Sequence, residues 1–288
     1  MLDRRPIMPE LFGSDCYSPR EIAERVENVG VAKAHLPWLS MTALGVLAGG
    51  FIGLGALGFT LVVSDPALSF AAQRLLGGLM FSLGLILVVL AGTELFTGNN
   101  LLVMAWVSRR ISTAHLLRNL GIVYVANLAG ATGLAWLVQL SGHANLNHGA
   151  VGRAAVLIAA TKTAMPFAEA FFKGMLCNLL VCLAVWIAMA GRNVTDKILA
   201  IVLPVTTFVA AGFEHCIANM YFIPLGILLR DPSASGPGME TLTTSGFMHN
   251  LLPVTLGNLV GGAGMVGLVF WVIYHRGKEA DIGVTSDE

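Results

Sequence analysis

Apolar residues run almost unbroken along six stretches of this chain, and polar residues gather between them. The stretches are 36–63, 75–107, 120–140, 165–190, 198–229 and 251–274. A helix needs about 20 apolar residues to cross the hydrocarbon core of a bilayer, so each stretch predicts a spanning segment. Two of them, 75–107 and 198–229, are too long for one span and too short for two. Each also carries a polar interruption, Gly92-Thr93-Glu94 in one and Gly212-Phe213-Glu214-His215 in the other.

The loop charges choose between one crossing and two. With six spans and the N-terminus inside, one side receives Arg4, Arg5, Arg20, Arg25, Lys33, Arg109, Arg110, Arg118, Arg192, Lys197, Arg276 and Lys278. The other side receives Arg74, Arg153, Lys162 and Arg230. Such an imbalance marks the cytoplasmic side. Splitting 75–107 in two would move the Arg109-Arg110 loop outside and spoil it. Each long run is therefore expected to cross once, broken in the middle. The expected organisation is a cytoplasmic segment over 1–35, a six-span domain over 36–275 and a cytoplasmic tail over 276–288, in a multi-pass protein of the cell inner membrane.

Composition agrees with this pattern: 56% of the residues are hydrophobic and 12% charged, about half the charged share of a soluble domain. Lys+Arg and Asp+Glu balance at 17 each, which leaves no basic surface for nucleic acid. The polar first 36 residues lack the apolar core of a cleaved leader, so the first span is expected to direct its own insertion. Cys16, Cys177, Cys182 and Cys216 form no CxxC pair and read as small buried hydrophobes; no cofactor or metal is expected. In the N-terminal segment Ser18 stands three residues before Glu21, the spacing of a capping box. Ile22, Val26 and Val29 follow at helical spacing. An amphipathic helix is expected there, on the inner membrane surface or against a neighbouring subunit.

The two interruptions match each other. Gly92, Glu94 and Asn99 recur as Gly212, Glu214 and Asn219 at an offset of 120, and Asn119, Asn127 and Gly130 recur as Asn250, Asn258 and Gly261. Span, broken span, span is the order in both halves. An odd number of crossings per half gives the copies opposite orientations, an inverted 3+3 repeat of six transmembrane helices in an all-α membrane protein. Such repeats place a site near the midplane, where the ends of broken helices face a cavity. The half-helices expected to start near Gly98 and Ala218 carry free N–H groups and partial positive charge, which favour an anion. Glu94 and Glu214 are expected to accept hydrogen bonds from the freed backbone and hold each break in shape. Thr97 could cap the half-helix after it, and His215, at a repeat-related break, is a candidate for function rather than packing.

At these breaks the chain is similar to the formate/nitrite transporter family. The resemblance is carried by Glu94-Leu95-Phe96-Thr97, by Gly212-Phe213-Glu214-His215 with Ile217-Ala218-Asn219, by Phe172-Lys173-Gly174, by the run from Leu176 to Trp186, and by Val254-Thr255-Leu256-Gly257-Asn258. It spans roughly residues 17–275. The resemblance implies an aquaporin-like protomer in a homopentamer, with one substrate path in each protomer. It makes Thr97 and His215 the central pair, and Leu85, Leu95 and His215 the inner constriction. Phe81, Phe208, Val181 and Phe96 become the outer constriction and adjacent wall. Asn178 and Asn258 are implied as polar groups near the constrictions, and Lys162 as a basic residue near the filter.

The substrate so implied is a small monovalent anion, formate first and nitrite second, with hydrosulfide, acetate and lactate in the same chemical range. A neutral-solute pore is opposed by the lack of paired Asn-Pro-Ala motifs. A membrane-embedded enzyme built on Glu214, His215 and Cys216 is opposed by geometry, since adjacent residues on a helix point in different directions. The charge split predicts that a reporter fused after Glu288 reads out in the cytoplasm; a periplasmic signal would reverse the topology.

Overall fold

The computed structural model describes residues 16–231 and 236–274; the tail over 276–288 lies outside the described residues. The elements in chain order are α1 (Pro19–Ala34), α2 (Trp38–Val63), α3 (Phe70–Leu90), α4 (Phe96–Asn99), α5 (Leu102–Val107) and α6 (Thr113–Leu140). After a 3-10 turn at His143–Asn145 come α7 (Ala150–Thr163), α8 (Phe167–Ala190), α9 (Val194–Ala210), α10 (Cys216–Leu229) and α11 (Thr244–Leu259). A π-helical stretch, Val260–Leu268, carries α11 on to Tyr274. No strand occurs among the described residues.

Among the described residues five helices are long and apolar enough to cross a membrane: α2, α3, α6, α8 and the continuous Thr244–Tyr274. The run 198–229 is divided between α9 and α10, and 75–107 among α3, α4 and α5. Both interruptions read from the sequence are therefore breaks in helices. One element, α7, has no counterpart in the sequence reading. Its 14 residues carry Arg153 and Lys162 among alanines and valines, a stretch too short for a span.

The repeat explains α7. Helix α1 packs on α5 and α7 on α10, the corresponding segments after the two breaks. Likewise α2 packs along α6 as α8 does along α11. Helix α1 opens with the expected capping box between Ser18 and Glu21. Its apolar face, Ile22, Ala23 and Val26, packs into a cluster with Leu101, Met104 and Trp186 of the same protomer. The N-terminal helix is thus the repeat partner of α7 and part of the protomer core.

Small residues let these pairs approach closely, as membrane helices do where lipid gives no hydrophobic drive to pack. A Cβ on Gly130 of α6 would collide with the Val46 carbonyl of α2, and one on Gly261 would collide with the Met175 carbonyl of α8. Gly130→Ala should destabilise the protein by about 1–3 kcal/mol, the usual scale of overpacking. Gly133→Ala, where a Cβ meets nothing within 4 Å, should leave stability unchanged or raise it. Thermal melting of the two variants in detergent checks the contrast.

Candidate functional site: two helix breaks joined by a threonine and a histidine

Each break begins at a glycine in the left-handed region, Gly92 at φ 66° and Gly212 at φ 76°. Three residues outside any helix follow, the last of them extended, and a new helix starts at Phe96 or Cys216, two residues earlier than the sequence suggests. Such a break frees backbone groups that cannot stay unpaired at membrane depth. Backbone carbonyls of the neighbouring helices take some of them, Leu44 from the Glu94 N–H and Lys173 from the Glu214 N–H, and one asparagine per break takes two more. Asn127 Oδ1 accepts from the Phe96 N–H at 2.9 Å, and its amide donates to the carbonyls of Gly45 (2.7 Å) and Glu94 (2.9 Å). Asn258 does the same for the other half: Oδ1 accepts from the Cys216 N–H at 2.9 Å, and the amide donates to Gly174 (2.7 Å) and Glu214 (3.0 Å).

The two glutamates do not bind the freed backbone through their carboxylates, contrary to the expectation from sequence. Glu94 pairs with Lys33 of α1 at 2.8 Å and accepts from the amides of Asn99 (2.7 Å) and Asn119 (3.3 Å). Glu214 pairs with Lys162 of α7 at 2.7 Å and accepts from Asn219 at 2.7 Å. Asn119 and Asn250 then tie each network back to α1 and α7 through the carbonyls of Lys33 and Lys162. A buried carboxylate is tolerable only with a partner and filled lone pairs; these side chains supply both, and the asparagines serve the backbone.

The symmetry ends at the tips of the half-helices. The N-cap positions are Leu95 and His215, both in the extended region. His215 Nδ1 accepts from the Ala218 N–H at 3.1 Å, so the histidine caps its own helix. That bond requires a bare Nδ1, which leaves the ring proton on Nε2. Nε2 lies 3.0 Å from Thr97 Oγ1, so the ring donates to the hydroxyl and the hydroxyl proton stays available. Thr97 therefore does not cap α4, whose N-cap has no side-chain bond. Its carbonyl takes Asn178 Nδ2 at 3.3 Å.

Two cavities lie on opposite sides of this bond. The larger, about 440 Å³, is lined by Phe59, Phe81, Lys162, Phe208, His215 and Phe222, with Arg74 and Lys173 also on its wall. The smaller, about 180 Å³, is lined by Lys33, Leu85, Thr93, Leu95 and Gly98 among others. Phe81 and Phe208 meet edge to face with centroids 5.8 Å apart, and Phe208 stacks on His215 at 6.1 Å. Of the residues singled out from the sequence, Thr97, His215, Phe81 and Phe208 come together, with Leu85 and Leu95 on the opposite side. Lys162 is on the larger cavity's wall. Asn178 and Asn258 sit behind the breaks, bonded to backbone. Phe96 packs on Tyr124 at 4.8 Å and Val181 is in the core; neither lines either cavity. Lys33 and Arg74, counted in the sequence only as loop charges, also line cavities.

The histidine cap gives a prediction. His215→Asn keeps a side-chain oxygen for the Ala218 N–H, whereas His215→Ala leaves it bare, so the alanine variant should be less stable by about 1 kcal/mol. Melting both variants tests this, and equal stability would remove the cap.

The chain matches the formate/nitrite transporter family across residues 20–272. It is 42% identical over 273 residues to the formate channel FocA of Escherichia coli strain K12, covering 91% of this chain and 96% of that protein. It is 36% identical over 282 residues to the probable formate transporter of Methanothermobacter thermautotrophicus, covering 92% of this chain and all of that one. A solved pentameric formate channel with formate bound superposes with a TM-score of 0.74 at 36% identity, over 82% of this chain and 97% of that one. With two repeat-related helix breaks facing each other between two cavities, the chain is a membrane transport protein and belongs to the formate/nitrite transporter family.

Proposed function

We propose that this protein passes small monovalent anions across the cell inner membrane, formate first, as a homopentamer with a path through each protomer and both termini in the cytoplasm. The observation that carries the reading is the Thr97–His215 bond between two cavities whose facing walls are apolar. The pentamer rests on the solved relative that is one.

An anion entering the larger cavity meets Lys162, whose ammonium is held by Glu214 and lies 5.4 Å from the Phe222 ring centroid. The field there draws the anion in, while the Glu214 carboxylate keeps the cation from binding it tightly. Beyond stand Phe81 and Phe208, and on the far side Leu85 and Leu95. A bare charge between such walls is costly, so passage needs hydrogen-bond donors at the narrow point. The Thr97 hydroxyl and the imidazole N–H behind it are those donors. In proton sharing, the ring takes a proton from water in the larger cavity and passes its Nε2 proton to the Thr97 hydroxyl. That hydroxyl at the same time gives its own proton to the anion, which crosses the apolar walls as a neutral acid. Both ring nitrogens are engaged, so a proton added at Nδ1 must displace the Ala218 N–H, and the first turn of α10 gives way with each transfer.

Flux into liposomes by purified protein, with formate, nitrite, hydrosulfide and glycerol as the panel, tests the reading. Formate should pass and glycerol should not; glycerol passage without formate would make this a neutral-solute pore. Leu95→Ala, which widens the inner wall, should raise acetate flux relative to formate by about tenfold, the weight of a side chain's steric block at a gate. Parental selectivity in a well-folded Leu95→Ala variant would move the constriction elsewhere.

The pH profile separates proton sharing from simple donation. His215→Asn keeps a cap and a polar side chain but has no titratable nitrogen, so it should transport without the parent's pH dependence. The same profile and proton stoichiometry in that variant would remove the histidine as the relay.

A further inference from the structure

Beside Lys162 and Lys173 the larger cavity has a third cation on its wall, Arg74, that the central pair does not account for. Arg74 lies on α3, one turn from its start, and its guanidinium reaches across to α9. Nε donates to the Ala210 carbonyl at 2.9 Å and Nη2 to the Val209 carbonyl at 2.9 Å. These are the last two carbonyls of α9 before the second break, where a helix end runs short of backbone donors. The Gly212 N–H also donates to the Val209 carbonyl at 3.0 Å, so the arginine adds a second donor there. Gly212 turns its open side to the same group, and a Cβ there would crowd Nη2. The guanidinium also lies 5.9 Å from the Phe59 ring centroid, beside Phe222.

The clamp stands next to the Phe81–Phe208 contact. Phe208 precedes the clamped carbonyls by one and two residues. Phe81 is two turns along α3 from Arg74, so both project from one face of that helix. The two helices run antiparallel and touch once per turn. Arg74 meets Val209 and Ala210. Gly78 lets the α3 backbone lie against Thr206, and Ser82 Oγ is 3.4 Å from the Val202 carbonyl. Removing the Arg74 contact would leave the other two in place, freeing the last turn of α9 while the helix pair stays docked.

We propose that Arg74 is a positioning residue for the outer aromatic gate: its forked hold on the end of α9 keeps Phe208 edge-on to Phe81 and so sets which anions fit. This rests on the anion-passage reading above. A substrate need not touch Arg74 for the effect; the arginine acts through Phe208. A fork with two donors at fixed spacing suits two adjacent carbonyls better than a point charge does, and the cation also offsets the negative end of α9.

The test uses the full-length protein and two readouts. In liposomes, Arg74→Gln should raise the ratio of acetate to formate flux by about threefold or more, the weight of one net hydrogen bond on the gate's closed position. Arg74→Lys, which returns a cation to the same carbonyls, should bring the ratio back toward the parent's. In a Phe208→Ala background the Gln substitution should add nothing, because the gate it positions is gone. A parental ratio in Arg74→Gln, or a full additive effect without the Phe208 ring, would overturn the proposal. Amide hydrogen exchange across residues 207–213 supplies the second readout and needs no transport. Exchange should quicken in Arg74→Gln and recover in Arg74→Lys; unchanged exchange would overturn the clamp even if selectivity shifts. A parent that passes no anion sinks the function proposed above, while the exchange result still judges the clamp.

Discussion

Every other feature of the site depends on how the protein tolerates two gaps in helices at membrane depth. A broken helix leaves N–H and C=O groups with no partner in the chain and no water to take their place. Asn127 and Asn258 close the gaps with three hydrogen bonds apiece. With the bonds from the Glu94 and Glu214 N–H groups to the Leu44 and Lys173 carbonyls, they let the chain leave the helix over 93–95 and 213–215 and bring Thr97 and His215 within bonding distance. The carboxylates of Glu94 and Glu214 add a second layer that ties each break to a short helix, α1 or α7, through a lysine.

Much of this is legible in the sequence, for definable reasons. The breaks can be found because polar and ionisable residues are too costly to sit inside a long apolar run without a task. The repeat can be found because Gly, Glu and Asn recur at a constant offset. The roles of those residues are harder to read. A carboxylate beside freed backbone is an obvious acceptor, yet the asparagines have the geometry for it, and an amide that both donates and accepts serves a break better than a carboxylate that only accepts. The repeated Asn119 and Asn250 point to the network, although nothing in a linear pattern says which atom meets which.

Helix α7 escapes a reading of the sequence because it is too short and too charged for a span and too apolar for a loop. Its counterpart α1 reads as a surface helix for the same reason. Lys33 and Lys162 are the residues that could join them, since each sits near the end of its helix and each has a buried glutamate to meet. Of Arg74 the sequence shows only a charge on the outer side. The antiparallel register of α3 on α9 is what brings it to the break.

The repeat is faithful in its framework and unfaithful at its tips, where Leu95 stands opposite His215 and Thr97 opposite Ile217. The polar pair is therefore assembled from positions that are not equivalent, one from each half. A solute approaching from the larger cavity encounters aromatic edges and then an imidazole; one approaching from the smaller cavity encounters leucine methyl groups first. The peaks and wells along the route follow a different order in the two directions. A scaffold with near two-fold symmetry therefore encloses a route whose two directions are not equivalent.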